Sequence, residues 1–329
     1  MSMFARRSFL IGAALAPLAP APARAQASGT QVWPARPVML IIPFPAGGAM
    51  DLLGRGVAQD LADKLGQQFV VDNRAGAAGN IGAMAAAKAS PDGYTTLMAG
   101  AASLALNKFM FSNMPYDPET ELTPIVILSR LPHIFVVNAK VEAKTLKELV
   151  DYAKSNPGKL SAGVPGVGTT AHITLEAFMA ETGAKMTVVP YRSEPQMLTD
   201  LVGGQLDVAG TLATSPGPHV QAGRLRALAV TSATRTRQLP DVPTVEQAGF
   251  PGFEATAWFA LAVPTGTPAD IIAKINAAAN AFIVSAKGKE ELNKLDSLPA
   301  GGTPEETKAF IAAEVRKWAP IIKAAKIQM

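Results

Sequence analysis

The chain reads as α/β and folded in two lobes, and three observations carry that reading. Strand-like apolar runs alternate with helix-length segments from Val38 almost to the last residue, the pattern of a sheet covered by helices. About ten strand candidates occur, which is many for one short open sheet. Two breaks marked by Pro or Gly, Ser129-Arg130-Leu131-Pro132 and Gly249-Phe250-Pro251-Gly252, each adjoin a long apolar run. If both are crossovers, residues 32–131 and 253–329 build one lobe and residues 132–252 the other, with a ligand cleft between them.

In chain order, residues 1–25 come first and read as an export signal. Arg6 and Arg7 precede an apolar run from Phe9 to Leu18, and Ala23-Arg24-Ala25 offers a cleavage site. The run is too short to span a bilayer and is broken by prolines; Arg-Arg-Ser-Phe-Leu has the look of a twin-arginine signal. Cleavage would leave a mature chain starting near Gln26, with 27 basic residues against 26 acidic ones. A balance so near neutrality, without a Lys/Arg-dense face, tells against nucleic acid or an anionic membrane as partner. The absence of cysteine fits an exported protein held together by its core.

The expected strands are Val38 to Phe44, Phe69 to Asn73, Thr95 to Ala99, Ile125 to Leu128, Ile134 to Asn138, Leu160 to Gly163, Thr187 to Tyr191, Leu206 to Ala209, Ala227 to Thr231 and Ala255 to Val263. Between them, Leu52, Leu53, Val57, Leu61 and Leu65 make one apolar helix face that stops at Gly66, and a helix from Leu146 to Lys154 stops before Asn156-Pro157-Gly158. Helical segments from Pro268 to Ala286 and Pro304 to Ala325 close the chain.

Two strand-to-helix turns draw attention. LIIPFPAGGAMD, Leu40 to Asp51, runs a strand through a Pro/Gly turn into a helix, and GVPGVGTTAH, Gly163 to His172, repeats the logic with two hydroxyls added. Such turns leave backbone N–H groups unpaired at the positive end of a helix dipole, the geometry of an anion seat. Taken singly, each reads first as a tight connection. Gly163 and Gly168 have the spacing of a phosphate-binding loop, but Thr169 stands where that motif needs lysine. Neither turn carries a dinucleotide fingerprint. What remains suits a carboxylate held by N–H groups and hydroxyls.

The catalytic inventory is thin. His133, His172 and His219 show no metal-ligand spacing, no G-x-S-x-G elbow occurs, and no metal or cofactor is expected. Asp51 and Asn80 read as helix caps, Ala75 to Gly79 as closely packed small residues, and Arg224, Arg226, Arg235 and Arg237 as a solvated basic face.

Seven ordered strings, among them WPARPVMLIIPFPAGGAMD, NPGKLSAGVPGVGTTAH, GRLRALAVTSATRTRQLPDVPTVEQAG and AWFALAVPTGTP, resemble the tripartite tricarboxylate transporter substrate-binding proteins, the Bug receptors. The resemblance implies a type II-like, two-lobed periplasmic binding protein that closes on a small organic acid, a di- or tricarboxylate or an aromatic carboxylate. It would pass that acid to a membrane permease with a large and a small subunit; a sensor-kinase adaptor or an exported enzyme would use the same cleft. The expected ligand contacts are Ala46, Gly47, Gly48, Gly166, Gly168, Thr169, Thr170, His172, Tyr191 and Thr211. Where many members have Asp or Asn, this chain has Gly210-Thr211, which tells against an ammonium-bearing ligand. The family's Tyr-Lys-Gly turn is Tyr191-Arg192-Ser193 and its Ala-Pro-Ala is Glu194-Pro195-Gln196, so the cleft rim differs.

Overall fold

Ten strands and nine α-helices order the chain in the computed structural model, which describes residues 33–329. The export signal expected over residues 1–25 lies outside the described residues. The strands are β1 (Val38–Ile42), β2 (Phe69–Asn73), β3 (Thr95–Gly100), β4 (Leu122–Asn138), β5 (Ser161–Val164), β6 (Thr187–Pro190), β7 (Val208–Leu212), β8 (Leu225–Val230), β9 (Thr256–Pro264) and β10 (Leu298–Gly301). The helices are α1 (Ala49–Leu65), α2 (Asn80–Ala87), α3 (Leu146–Ser155), α4 (Thr170–Thr182), α5 (Glu194–Gly203), α6 (Gly217–Gln221), α7 (Ala269–Val284), α8 (Ala286–Lys294) and α9 (Pro304–Ala324).

The strand path is β2-β1-β3-β9-β4-β7-β5-β6, with β8 and β10 also paired to β4. β1 lies parallel between β2 and β3, and four of its five residues are buried, as a strand covered on both faces requires. β5 is likewise parallel to β6 and β7. β4 joins the two regions. Up to Pro132 it pairs with β9, and from His133 onward with β7.

The expected strands Ile125 to Leu128 and Ile134 to Asn138 are therefore one 17-residue strand. Ser129 to Pro132 stay extended because β9 bonds one edge of this stretch while β10 pairs with Ser129 and Arg130 on the other. The change of partner is laced by buried Thr231. Its hydroxyl accepts from the His133 N–H at 2.9 Å, its N–H donates to the His133 carbonyl, and its own carbonyl accepts from Ala255 N–H, each at 2.9 Å. The second predicted break, Gly249 to Gly252, is a turn with both glycines in the left-handed region.

Helix punctuation follows the sequence closely at α1, which ends on left-handed Gly66, and at α9, where Thr303 and Glu306 form a capping box. The helix expected from Pro268 to Ala286 instead breaks at Ser285, whose extended backbone ends α7 while its hydroxyl accepts the Gly288 N–H at 2.9 Å and starts α8. β10, with Pro299 and Gly301, was not expected. Two side-chain readings also change. Asn80 is no cap: its carbonyl oxygen accepts from Asn107 at 2.6 Å and from the Tyr116 hydroxyl. Arg226 is not on a solvated face, since its guanidinium donates to the carbonyls of Val141 and Ala143.

Candidate ligand site

The turn between β1 and α1 is built by two prolines and two glycines. Pro43 and Pro45 lack the N–H that would continue the ladder. Gly47, at φ 85°, makes the reversal that a side chain resists. Gly48 then serves as an extended N-cap with no side chain to close the helix end. Asp51 supplies the anion instead. Its carboxylate, 2% exposed, accepts from the Gly47 N–H at 2.9 Å, Arg55 Nε at 3.0 Å and Asn73 Nδ2 at 2.9 Å. Burial alone would raise this carboxyl, but the bonds from Arg55, Gly47 and Asn73 outweigh it and hold it below the ordinary carboxylate value. The expectation that Asp51 caps its own helix is not met: Gly48 is the N-cap and no side chain caps the helix end, because the Asp51 carboxylate is turned back onto the Gly47 N–H outside the helix.

The turn between β5 and α4 closes with neutral groups. Gly166 N–H returns to the Val164 carbonyl at 2.9 Å, and Gly168 N–H donates to His172 Nδ1 at 3.1 Å. Because Nδ1 accepts, the ring proton belongs on Nε2, which faces Glu176 Oε1 at 3.5 Å. Thr169 is the N-cap: its hydroxyl accepts from the His172 N–H and donates to the Gly166 carbonyl. Thr170 Oγ1 lies 3.0 Å from Nε2 of His133, whose Nδ1 faces Thr174 Oγ1 at 3.3 Å. Burial drives His133 down to about 4 against the opposing bond to the Ala255 backbone, so the ring is neutral at pH 7.

Both turns open on one cavity of about 810 Å³. Ala46, Gly48, Gly168, Thr169 and Thr170 line it, as expected from the sequence, whereas Gly47, Gly166, His172, Tyr191 and Thr211 do not. Gly47, Gly166 and His172 act from behind, through the bonds just described. Tyr191 donates its hydroxyl to Asp200 at 3.0 Å, and fully buried Thr211 donates to the carboxylate of Glu194, which does line the cavity. A carboxylate therefore stands at the wall where the sequence reading expected none. Among the described residues, the N–H groups of Ala46, Gly48, Val167, Thr169 and Thr170 have no acceptor, and all five residues line the cavity. No lysine or arginine does.

Sequence reasoning missed Trp258, Ala78 and Met329 in the lining, and placed Glu194 at the cleft rim without assigning it a ligand contact. Trp258 comes from β9 and is oriented by Glu314, which accepts its indole N–H at 3.0 Å. Ala78 occupies left-handed backbone at φ 52°, a strain on the order of 1–3 kcal/mol, and Asn107 holds its carbonyl at 3.1 Å. Paired alanines after a glycine carry no sign of that conformation. Among the described residues, no group of three His, Asp or Glu side chains is placed to hold a metal ion.

The family model described as "Tripartite tricarboxylate transporter family receptor" matches residues 53–327. BugT of Bordetella pertussis is 37% identical over 294 residues, covering 88% of this chain and 90% of BugT. The solved structure of Rpa4515 from R. palustris with adipate superposes with a TM-score of 0.79 at 36% identity, over 90% of this chain and 99% of that one. MatC from Rhodopseudomonas palustris with bound malate does so with a TM-score of 0.74 at 28% identity, over 88% and 100%. The α/β architecture with two lobes and a cleft thus recurs in solute-binding proteins, and this chain belongs to the receptor family of the tripartite tricarboxylate transporters.

Proposed function

We propose that this chain is an exported receptor that binds one small organic acid in the 810 Å³ cavity and releases it unchanged. The ligand carboxylate accepts from the free N–H groups of the two helix-opening turns, Ala46 and Gly48 on one side and Val167, Thr169 and Thr170 on the other. The carrying observation is that residues of both turns line one cavity, with unused N–H groups and no cation in its wall. Each charge-assisted bond contributes about 1.5–3 kcal/mol and a helix dipole roughly 0.3–1 kcal/mol. A few together reach the roughly 8 kcal/mol of micromolar binding without an ion pair. The acids held by Rpa4515 and MatC, adipate and malate, support a carboxylic acid as the ligand class.

The receptor acts in the periplasm after removal of residues 1–25 and hands its acid to a permease with a large and a small subunit. Its lobes comprise residues 32–131 with 253–329 and residues 132–252, and they close about the segments that Thr231 ties together.

Thermal unfolding of the mature chain with a panel of organic acids, beginning with adipate and malate, tests this reading. An acid at a hundred times its Kd raises stability by about 2.7 kcal/mol and is recovered unaltered by mass spectrometry. Gly48→Asp is expected to abolish the shift, because a carboxylate then occupies or repels the seat. If folded Gly48→Asp binds normally while replacement of Arg192 eliminates binding, an arginine clamp holds the acid instead.

A further inference from the structure

The cavity has two side-chain carboxylates in its wall, Asp51 and Glu194, and they differ in what surrounds them. Asp51 is matched from behind by Arg55, Asn73 and a backbone N–H, so its charge and lone pairs are spoken for. Glu194 is half-buried at the first turn of α5, and its one hydrogen bond among the described residues comes to Oε1 from the hydroxyl of Thr211. No lysine or arginine shares the wall with it. Its Oε2 has no hydrogen-bond partner among the described residues, and Phe44, Pro45, Val167, Pro195, Trp258 and Met329 line the same cavity.

We infer that Glu194 sets specificity at the far end of the ligand: this receptor takes an acid whose second polar group is a hydrogen-bond donor, a hydroxyl, amide or ammonium, rather than a second carboxylate. A donor placed there completes the coordination of Oε2. A second carboxylate in the same position meets a like charge in a poorly screened cavity and offers no proton to share. The inference rests on the seating of the first carboxylate at the helix-opening turns.

The experiment measures calorimetric Kd values of the mature chain for the saturated diacids of three to eight carbons, each beside its ω-hydroxy and ω-amino acid. At the chain length that fits best, a donor-ended acid is expected to bind at least tenfold tighter than the diacid, the worth of about one charge-assisted bond. Glu194→Gln should shrink that ratio about tenfold, chiefly by strengthening the diacid, and Glu194→Ala gives the same reading if the amide variant does not fold. A wild-type chain that prefers the diacid, or a ratio untouched by either variant, overturns the role of Glu194 and leaves the carboxylate seat standing. If no acid of any series binds, the seat itself fails and this inference falls with it.

Discussion

The turns that open α1 and α4 are alike in outline, each with a left-handed glycine just before the helix, yet they neutralise their helix ends by opposite means. The α1 turn has a bare glycine cap and brings a resident anion, Asp51, back onto Gly47 N–H. The α4 turn has a threonine cap, the imidazoles of His133 and His172 behind it and no acidic residue in its first turn. The dipole of α1 is already partly answered by Asp51, while that of α4 is not. On the proposed reading an incoming carboxylate therefore gains more at α4, while the α1 turn contributes the N–H groups of Ala46 and Gly48 from the opposite side.

The largest expected difference between the turns appears with pH. His133, behind α4, is held near 4 in the folded chain against 6.5 unfolded. Between those values the unfolded state binds more protons, so stability rises with pH. The full stability is present above 6.5, and about 3 kcal/mol is lost as pH falls to 4, at 1.36 kcal/mol per unit. Asp51, behind α1, has a lowered pKa and loses its contribution only below the unfolded carboxylate range, near pH 4. Urea unfolding from pH 7 to below pH 4 reads the two windows in turn. In His133→Gln the slope between 6.5 and 5 should flatten, and a slope equal to that of the wild type assigns it to other groups.

Asp51→Ala comes next. It strips three donors of their acceptor, but Arg55 is half exposed and returns to water, and Asn73 Nδ2 keeps the Phe44 carbonyl at 3.1 Å. The expected loss is about 2 kcal/mol after that discount, with ligand affinity held or raised. A tenfold weaker ligand with little lost stability would make Asp51 a ligand contact and erase the contrast between the turns. On the other side, Thr169→Ala removes a helix cap worth about 1 kcal/mol. Its affinity should fall less than tenfold, because the hydroxyl is turned to Gly166 and His172 rather than free.

What was legible in the sequence follows the same division. The two turns stood out because Pro, Gly and Thr before an apolar period mark a strand end and a helix start locally. Most strands were legible for a similar reason: β2 was read residue for residue because its run is bounded on both sides. The continuity of β4 was not, since Ser129, Arg130 and Pro132 are extended only because β9 and β10 bond to them. Neither were the cavity walls supplied by Trp258 and Met329, which meet the turns from residues far along the chain. The roles of His172 and Thr169 as internal partners of the turn, rather than open ligand groups, also depend on side-chain direction that spacing does not carry.

The smallest expected effect is the most pointed. Gly48 has extended backbone, φ −78° and ψ 169°, that any residue adopts, and an added Cβ meets nothing nearer than the Pro45 carbonyl at 3.8 Å. Gly48→Ser would thus give α1 the hydroxyl cap that α4 already has, raising stability by only a few tenths of a kcal/mol, since glycine is itself a tolerable cap. The new hydroxyl would accept from the N–H of Met50 or Asp51, the groups one turn inside the helix, and leave the N–H of Ala46 and Gly48 free. Ligand affinity should then stay within about twofold of wild type, as expected when no donor of the seat is consumed. A tenfold weaker ligand, with unfolding shifted upward, would mean that the first-turn N–H groups of α1 bind the acid directly, and that α1 rather than α4 holds the carboxylate.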